Sequence, residues 1–277
     1  MALVFRSFYT EGISQLSYLV GDDSAGLAAV IDPRRDVGLY LDAAAAAGLR
    51  IAHAIETHIH ADFASGTHEL AARTGAEILG GEGDYGFPLR RLRDGEEIAL
   101  GGVRLRALHT PGHTPEHICL TLSAEGQGEA PFGVFTGDTL FNLDVGRPDL
   151  LGDQQERRHA AALHESLFGR LLPLGDGTEV WPGHGAGSAC GKQFGDRLRS
   201  LIGNERRVNP ALKPRGREEF VDWLLDGMPE PPRCGAARCP CRRRCRRPSW
   251  NGGRGRAPCW WTRAPCSPSV AAISPAR

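Results

Sequence analysis

No stretch of this sequence approaches the roughly 18 consecutive apolar residues that a membrane-spanning helix needs. Its start, MALVFRSFYTEG, lacks the basic region, apolar stretch and small-residue cleavage site of a secretory signal. Residues 1–232 hold only Cys119 and Cys190, too few for a disulfide framework. Collagen-like and coiled-coil periodicities are missing, and no internal repeat stands out. Membrane protein, fibrous protein and disulfide-stapled secreted module are excluded together. A globular protein, expected in the cytoplasm, remains, and 232 residues suffice for one large core or two small ones.

Acidic residues are absent from the C-terminal end. Residues 233–277 contain eleven Arg but no Lys, Asp or Glu, and they hold six of the eight Cys and no His. Residues 1–232 therefore carry twenty-two basic and thirty-three acidic side chains, a net of −11. The formal charge of zero is the sum of two opposite pieces. The boundaries read as a body over 1–232 and a tail over 233–277.

Within the body, short β-like runs come first: Leu3–Tyr9, Gln15–Val20 and Leu27–Ile31, separated by Gly, Asp and Ser. An alanine-rich helix over Val37–Ala47 ends at Gly48. A buried strand over Ile51–Glu56 runs into THIHADFASG, and a helix over Thr67–Arg73 stops at Gly75. AEILGG is a short strand, residues Glu97–Leu122 are β-rich, and Phe132–Phe141 is a strand followed by a turn. Gln154–Leu172 is the longest helical pattern; a strand over Glu179–His184 and a late helix over Glu218–Asp226 close the body. This order predicts mixed sheets carrying helices on their outer faces, an α/β (α+β layered) fold.

Four segments place imidazole or carboxylate at the ends of predicted strands: His58-Ile59-His60-Ala61-Asp62, Gly112-His113-Thr114, Gly137-Asp138-Thr139 and Gly183-His184-Gly185. A strand end fixes the backbone while the side chain faces a loop cluster, which is where chemistry is usually built. Alternate residues of an extended His-x-His-x-Asp segment share a face. Imidazole with carboxylate suits Zn, Fe or Mn, and the lack of Cys in the set argues against a structural thiolate zinc site. Singly, each segment reads equally as a hydrogen-bonded turn; four in order read as a metal centre.

THIHADF resembles the His-x-His-x-Asp-His signature of the metallo-β-lactamase fold, with His113, Asp138 and His184 where its later ligand motifs fall. The resemblance covers about residues 3–226 and implies an αββα sandwich with its site along the shared edge of two sheets. Phe63 stands where hydrolases of this fold have the last His of the signature. A phenyl ring offers no lone pair, so the second metal position of the two-metal members loses a ligand; alternatively Phe63 only packs into the core beside an ordinary site. ETHIHADFASG, TPGHTPEHICL, FTGDTLFNLDVGRPDLLG, GHGAGSACGK and NERRVNPAL are together similar to the persulfide (sulfur) dioxygenases, in the bacterial branch often followed by rhodanese domains. That likeness implies one Fe(II) per chain on His58, His113 and Asp138, with Zn as the alternative ion. Two His and one carboxylate leave three coordination positions open, enough for a persulfide sulfur and O2.

The implied reaction oxidises glutathione persulfide, or a similar low-molecular-weight persulfide, with O2 to sulfite and the thiol. His60, Asp62 and His184 are then expected to orient ligands and water from behind, or else to be structural polar contacts. Arg147 is the candidate to grip a substrate carboxylate, against a solvated loop arginine. Cys190 is the candidate to contact sulfane sulfur, although no activating partner is visible in the sequence. Arg206 and Arg207 read as solvated helix charges, or as contacts to the glycyl end of glutathione. No membrane and no nucleic acid are expected as partners, and self-association into a homo-oligomer is left open. The competing readings are a thioester hydrolase of the glyoxalase II type and a non-enzymatic nucleic-acid binder acting through the basic tail. The tail itself lacks periodicity and paired C-x2-C spacing, so disorder is its expectation. Its composition also fits a GC-rich gene read out of frame near codon 233, the remnant of a rhodanese domain.

Overall fold

The computed structural model describes residues 2–229 except 127, 129, 152, 153 and 214. The expectations for the tail, residues 233–277, lie outside the described residues. Strands β1 (Leu3–Thr10), β2 (Gln15–Asp22) and β3 (Leu27–Ile31) lead through helix α1 (Gly38–Ala46) to β4 (Arg50–Ile55). Helix α2 (Thr67–Thr74), β5 (Glu77–Gly80) and the two-residue β6 (Arg90–Arg91) follow. The second half contains β7 (Glu97–Leu100), β8 (Val103–His109), β9 (Ile118–Ala124) and β10 (Gly133–Gly137). Helix α3 (Glu156–Glu165), β11 (Glu179–Pro182), β12 (Ser200–Leu201), α4 (Ile202–Val208) and α5 (Arg217–Leu225) complete it.

These strands form two six-stranded sheets, ordered β1-β2-β3-β4-β5-β6 and β12-β11-β10-β9-β8-β7. Alternation along β2 shows why they stack. Leu16, Tyr18 and Val20 enter the core between the sheets, meeting Leu105, Leu120, Leu122 and Phe135 of the second sheet. Leu19, on the other face, joins Tyr40 and Ala44 of α1 and Leu70 of α2. The outer face of the second sheet (Cys119, Val134 and Val180) is covered by Leu163 of α3 and Phe220 and Leu224 of α5. The layers are helix, sheet, sheet, helix, and both sheets are covered on both faces. Among the described residues, no helix is long and apolar enough to cross a membrane.

Two elements differ from the sequence pattern for identifiable reasons. The helix expected over Gln154–Leu172 is α-helical only to Glu165 and continues as a π-helical turn over Ser166–Leu171. Leu163, Leu167 and Leu171 are all fully buried at a spacing of four. The buried line thus runs on from α3 through the wider turn, and the burial that the sequence pattern reads is kept while the helix type changes. Helix α4 carries little local signal: Gly203 lies inside it and Leu201 supplies no side-chain cap. Its buried Glu205 holds it from outside, accepting hydrogen bonds from Asn142 Nδ2 (2.9 Å), Leu143 N (2.8 Å) and Asn209 Nδ2 (2.9 Å).

Candidate metal centre

His58 follows β4, His113 sits in the β8–β9 loop, Asp138 follows β10 and His184 follows β11, so adjoining strand ends of both sheets supply the cluster. Backbone crowding fixes the loops. Gly112, at φ +151°, lies so close to α3 that a Cβ there would be 2.6 Å from Leu163 Cα. At Gly146 a Cβ would fall 1.8 Å from the carbonyl oxygen of Asp138. Only glycine lets these loops close over the site.

The ligand atoms of His58, His113 and Asp138 lie within 4.8 Å of one another, and all three residues are buried. Hydrogen bonds determine which atoms face the common point. His113 Nδ1 donates to the carbonyl of Arg147 (2.9 Å), so Nε2 keeps its lone pair, 3.4 Å from Asp138 Oδ2. Thr57 Oγ1 donates to Asp32 Oδ2 (2.7 Å) and therefore accepts from His58 Nδ1 (2.9 Å). That relay leaves His58 Nε2 free, 3.7 Å from the same Asp138 oxygen. Asp138 Oδ1 accepts from His184 Nδ1 (2.7 Å), whereas Oδ2 is buried without a hydrogen-bond partner.

A buried carboxylate oxygen left unpartnered is costly unless a cation meets it. Here two imidazole lone pairs converge on that same oxygen, and the donor set fits a first-row divalent metal. Burial and the neighbouring His60 hold His58 well below the ordinary imidazole range, which keeps it a neutral ligand. Burial alone would raise the Asp138 carboxyl, but His184, His58 and His113 outweigh it and hold it well below the usual carboxylate range.

The other predicted residues go elsewhere. His60 turns its Nε2 to Asp32 Oδ1 (3.1 Å) and Glu56 Oε2 (3.4 Å), away from the three-ligand point. Phe63 is half-buried, with its ring on His60 (centroids 4.4 Å apart). With Phe87 and His68 it lines a cavity of about 60 Å³ beside His58. Asp62 Oδ2 meets His184 Nε2 at 2.8 Å, and Cys190 completes a second trio with them. Burial, with Asp138 and Asp62 nearby, pushes the Cys190 thiol well up, the reverse of what a reactive thiolate needs. Arg147 is 2 % exposed and closes its fork on Asp149 with two contacts of 2.7 Å. Its link to the ligands runs through its carbonyl, and a substrate carboxylate would reach the fork only by exchange with Asp149. Arg206 pairs with Asp176 (2.9 Å).

Sequence reasoning missed Asp32 and His117. Asp32 closes β3 as Asp138 closes β10, and that strand-end position was the available signal. His117 Nε2 accepts the Asp138 backbone N–H (2.9 Å), and its ring stacks on His58 (centroids 5.0 Å apart). Accepting at Nε2 requires a neutral ring, and burial together with His113 depresses His117 to about 3. Its contribution to stability is therefore complete above the unfolded value of about 6.5 and is lost as pH falls towards 3. Urea unfolding of metal-free protein at pH 7 and pH 5 should show the loss, at up to about 1.4 kcal/mol per pH unit. His117→Gln should flatten this part of the pH dependence; an unchanged slope would remove His117 as its source.

The sequence model of the metallo-beta-lactamase superfamily matches residues 11–184. The chain belongs to the metallo-beta-lactamase superfamily. It is 30% identical over 233 residues to a hydroxyacylglutathione hydrolase of Methylococcus capsulatus, covering 77% of this chain and 88% of that protein. Among solved structures it resembles a metallo-beta-lactamase from Staphylococcus aureus, with a TM-score of 0.79 at 40% identity, over 86% of this chain and 71% of that one. It also resembles ETHE1 from Myxococcus xanthus, with a TM-score of 0.72 at 31% identity, over 87% and 99%. Membership of this superfamily accords with the helix–sheet–sheet–helix layering and with a metal-dependent enzyme. It leaves hydrolysis and oxygenation both within reach of the site.

Proposed function

We propose that the protein is an iron(II)-dependent persulfide dioxygenase acting on glutathione persulfide or a similar small persulfide. The observation that carries this reading is the division of the histidines. His58 and His113 aim free Nε2 atoms at the unpartnered Asp138 Oδ2, while His60 is engaged by Asp32 and Glu56. Two imidazoles and one carboxylate form the facial set that leaves positions for two further ligands. With Phe63 in place of an imidazole, the second metal position of the two-metal members lacks one of its ligands here.

The overall change is RSSH + O2 + H2O → RSH + SO3²⁻ + 2 H⁺, in which the terminal sulfur is oxidised and O2 reduced. Iron(II) on His58, His113 and Asp138 would supply the redox capacity and hold both reactants together. The chain's own contribution is placement. Thr57 and the Arg147 carbonyl fix the two imidazole tautomers, and His184 fixes the Asp138 carboxylate, so the ligand sphere does not reorganise on binding. The cavity beside His58, walled by Phe63 and Phe87, offers an apolar approach for a small gas.

Thioester hydrolysis is the second reading, favoured by the likeness to the Methylococcus hydroxyacylglutathione hydrolase. Anaerobic purification, metal counting, and parallel assays of O2 uptake with glutathione persulfide and of thioester cleavage separate the two. We expect iron near one equivalent and O2 uptake; zinc with thioester turnover and no O2 uptake would transfer the assignment to the hydrolase.

A further inference from the structure

We propose that Glu56 and Tyr85 hold, in the cavity beside His58, the water molecule that the reaction consumes. Among the described residues, three buried side-chain atoms without a hydrogen-bond partner belong to residues lining this one cavity: Glu56 Oε2, Tyr85 Oη and His60 Nδ1. Glu56 is 3 % exposed and Tyr85 4 %. Buried polar atoms are ordinarily paired, so unpaired ones gathered around a hollow mark a small hydrogen-bonding guest. The cavity measures about 60 Å³. A water needs about 10–15 Å³ of such space, so water fits where nothing the size of glutathione can enter.

The two side chains complement each other. Ser65 Oγ and Thr67 Oγ1 both donate to Glu56 Oε1, which fixes the carboxylate and leaves Oε2 as the acceptor still to be met. Burial, with Glu116 and Glu56 nearby, raises the Tyr85 hydroxyl, which therefore keeps its proton and donates. Gly80 makes room for it, since a Cβ there would lie 2.9 Å from Tyr85 Oη. A water between them accepts from Tyr85 and donates to Glu56, and that second bond makes its oxygen the better nucleophile. Phe63 and Phe87 wall the cavity on its other side.

The reaction has a use for it. Oxygenation alone gives RSSH + O2 → RSSO2⁻ + H⁺, and sulfite then requires RSSO2⁻ + H2O → RSH + HSO3⁻. In that second step the water oxygen bonds to the terminal sulfur. The S–S bond breaks with its electron pair on the inner sulfur, and the thiolate so formed takes a proton from the water. O2 is the oxidant of the first step, and the second is a hydrolysis.

The use of this water rests on the dioxygenase reading, whereas its site does not, and the two are tested apart. A crystal structure of the full-length chain should show an ordered water within hydrogen-bond distance of both Glu56 Oε2 and Tyr85 Oη, and the Tyr85→Phe structure should lack it. Use is read with glutathione persulfide as the ratio of sulfite to O2 rather than as a rate. Tyr85→Phe should slow the second step about tenfold or more. Sulfite then lags behind O2 uptake, and RSSO2⁻ accumulates, seen by mass spectrometry as the persulfide plus two oxygen atoms. Glu56→Gln should uncouple the steps in the same way. Circular dichroism and iron content confirm that each variant is folded and loaded. No water shared by the two atoms in the wild-type structure overturns the proposal, as does sulfite that keeps pace with O2 in both variants. The water in place beside absent O2 uptake in the wild type would instead count against the dioxygenase.

Discussion

Replacing His113 with alanine is expected to remove iron and O2 uptake together while leaving the chain folded. In the proposed iron site the imidazole supplies one of three ligand atoms, and its partners cannot substitute for it. His58 and Asp138 are held by Thr57 and His184 in positions that the lost Nε2 completed. A facial set reduced to two donors binds iron weakly and no longer fixes the remaining positions. Loss of about 4 kcal/mol of transition-state stabilisation corresponds to about a thousandfold in rate, and we expect at least that. Stability should change little. His113 lies in a loop outside the three apolar clusters. Its removal leaves the Arg147 carbonyl without that donor, worth about 1 kcal/mol. Metal analysis and O2 uptake measured on the same preparation decide the matter. Retention of both would mean that the ligands are other residues.

The fold was legible wherever apolar alternation was strong. The first three strands and α1, α2 and α5 sit within a few residues of where periodicity and terminal glycines put them, because local pattern and tertiary burial agree there. Gly75, in the left-handed region at φ +72°, ends α2 as its position suggested. Local pattern failed where an outside partner decides. Glu205 organises α4 through Asn142 and Asn209, 63 residues upstream and four downstream, and no window of sequence contains that network. In the site, strand-end logic located His58, His113, Asp138 and His184. It did not show that His60, two residues from His58, turns to Asp32 and Glu56. Alternation assumes an extended strand, and β4 has already ended at Ile55. Nor did it show that the Arg147 fork closes on a near neighbour, Asp149, because nothing in a linear pattern distinguishes a free loop arginine from a buried, paired one.

Asp32→Ala is expected to be the most destabilising single change at the centre, although Asp32 is not among the three converging ligands. The residue is 2 % exposed and closes β3 in the left-handed region at φ +49°, a conformation Asp adopts more readily than Ala. Its two oxygens accept from Thr57 N (2.7 Å), Thr57 Oγ1 (2.7 Å) and His60 Nε2 (3.1 Å). Burial lowers His60, yet the charge and hydrogen bond of Asp32, with those of Glu56, outweigh burial and raise it. Alanine therefore leaves a buried charged imidazole with Glu56 alone and strands two further donors, a loss of about 3–5 kcal/mol. Asp32→Asn keeps the shape and part of the accepting capacity but not the charge, and should fall between. Unfolding must be measured on metal-free protein, so that weaker metal binding does not masquerade as a weaker fold. In that state His113→Ala should be near wild type and Asp32→Ala far below it. The metal should suffer as well: Thr57, released from Asp32, no longer fixes the His58 tautomer, and iron affinity should drop about 10–100-fold. If Asp32→Ala unfolds with wild-type stability and binds iron normally, the Asp32–Thr57–His58 relay does not organise the centre.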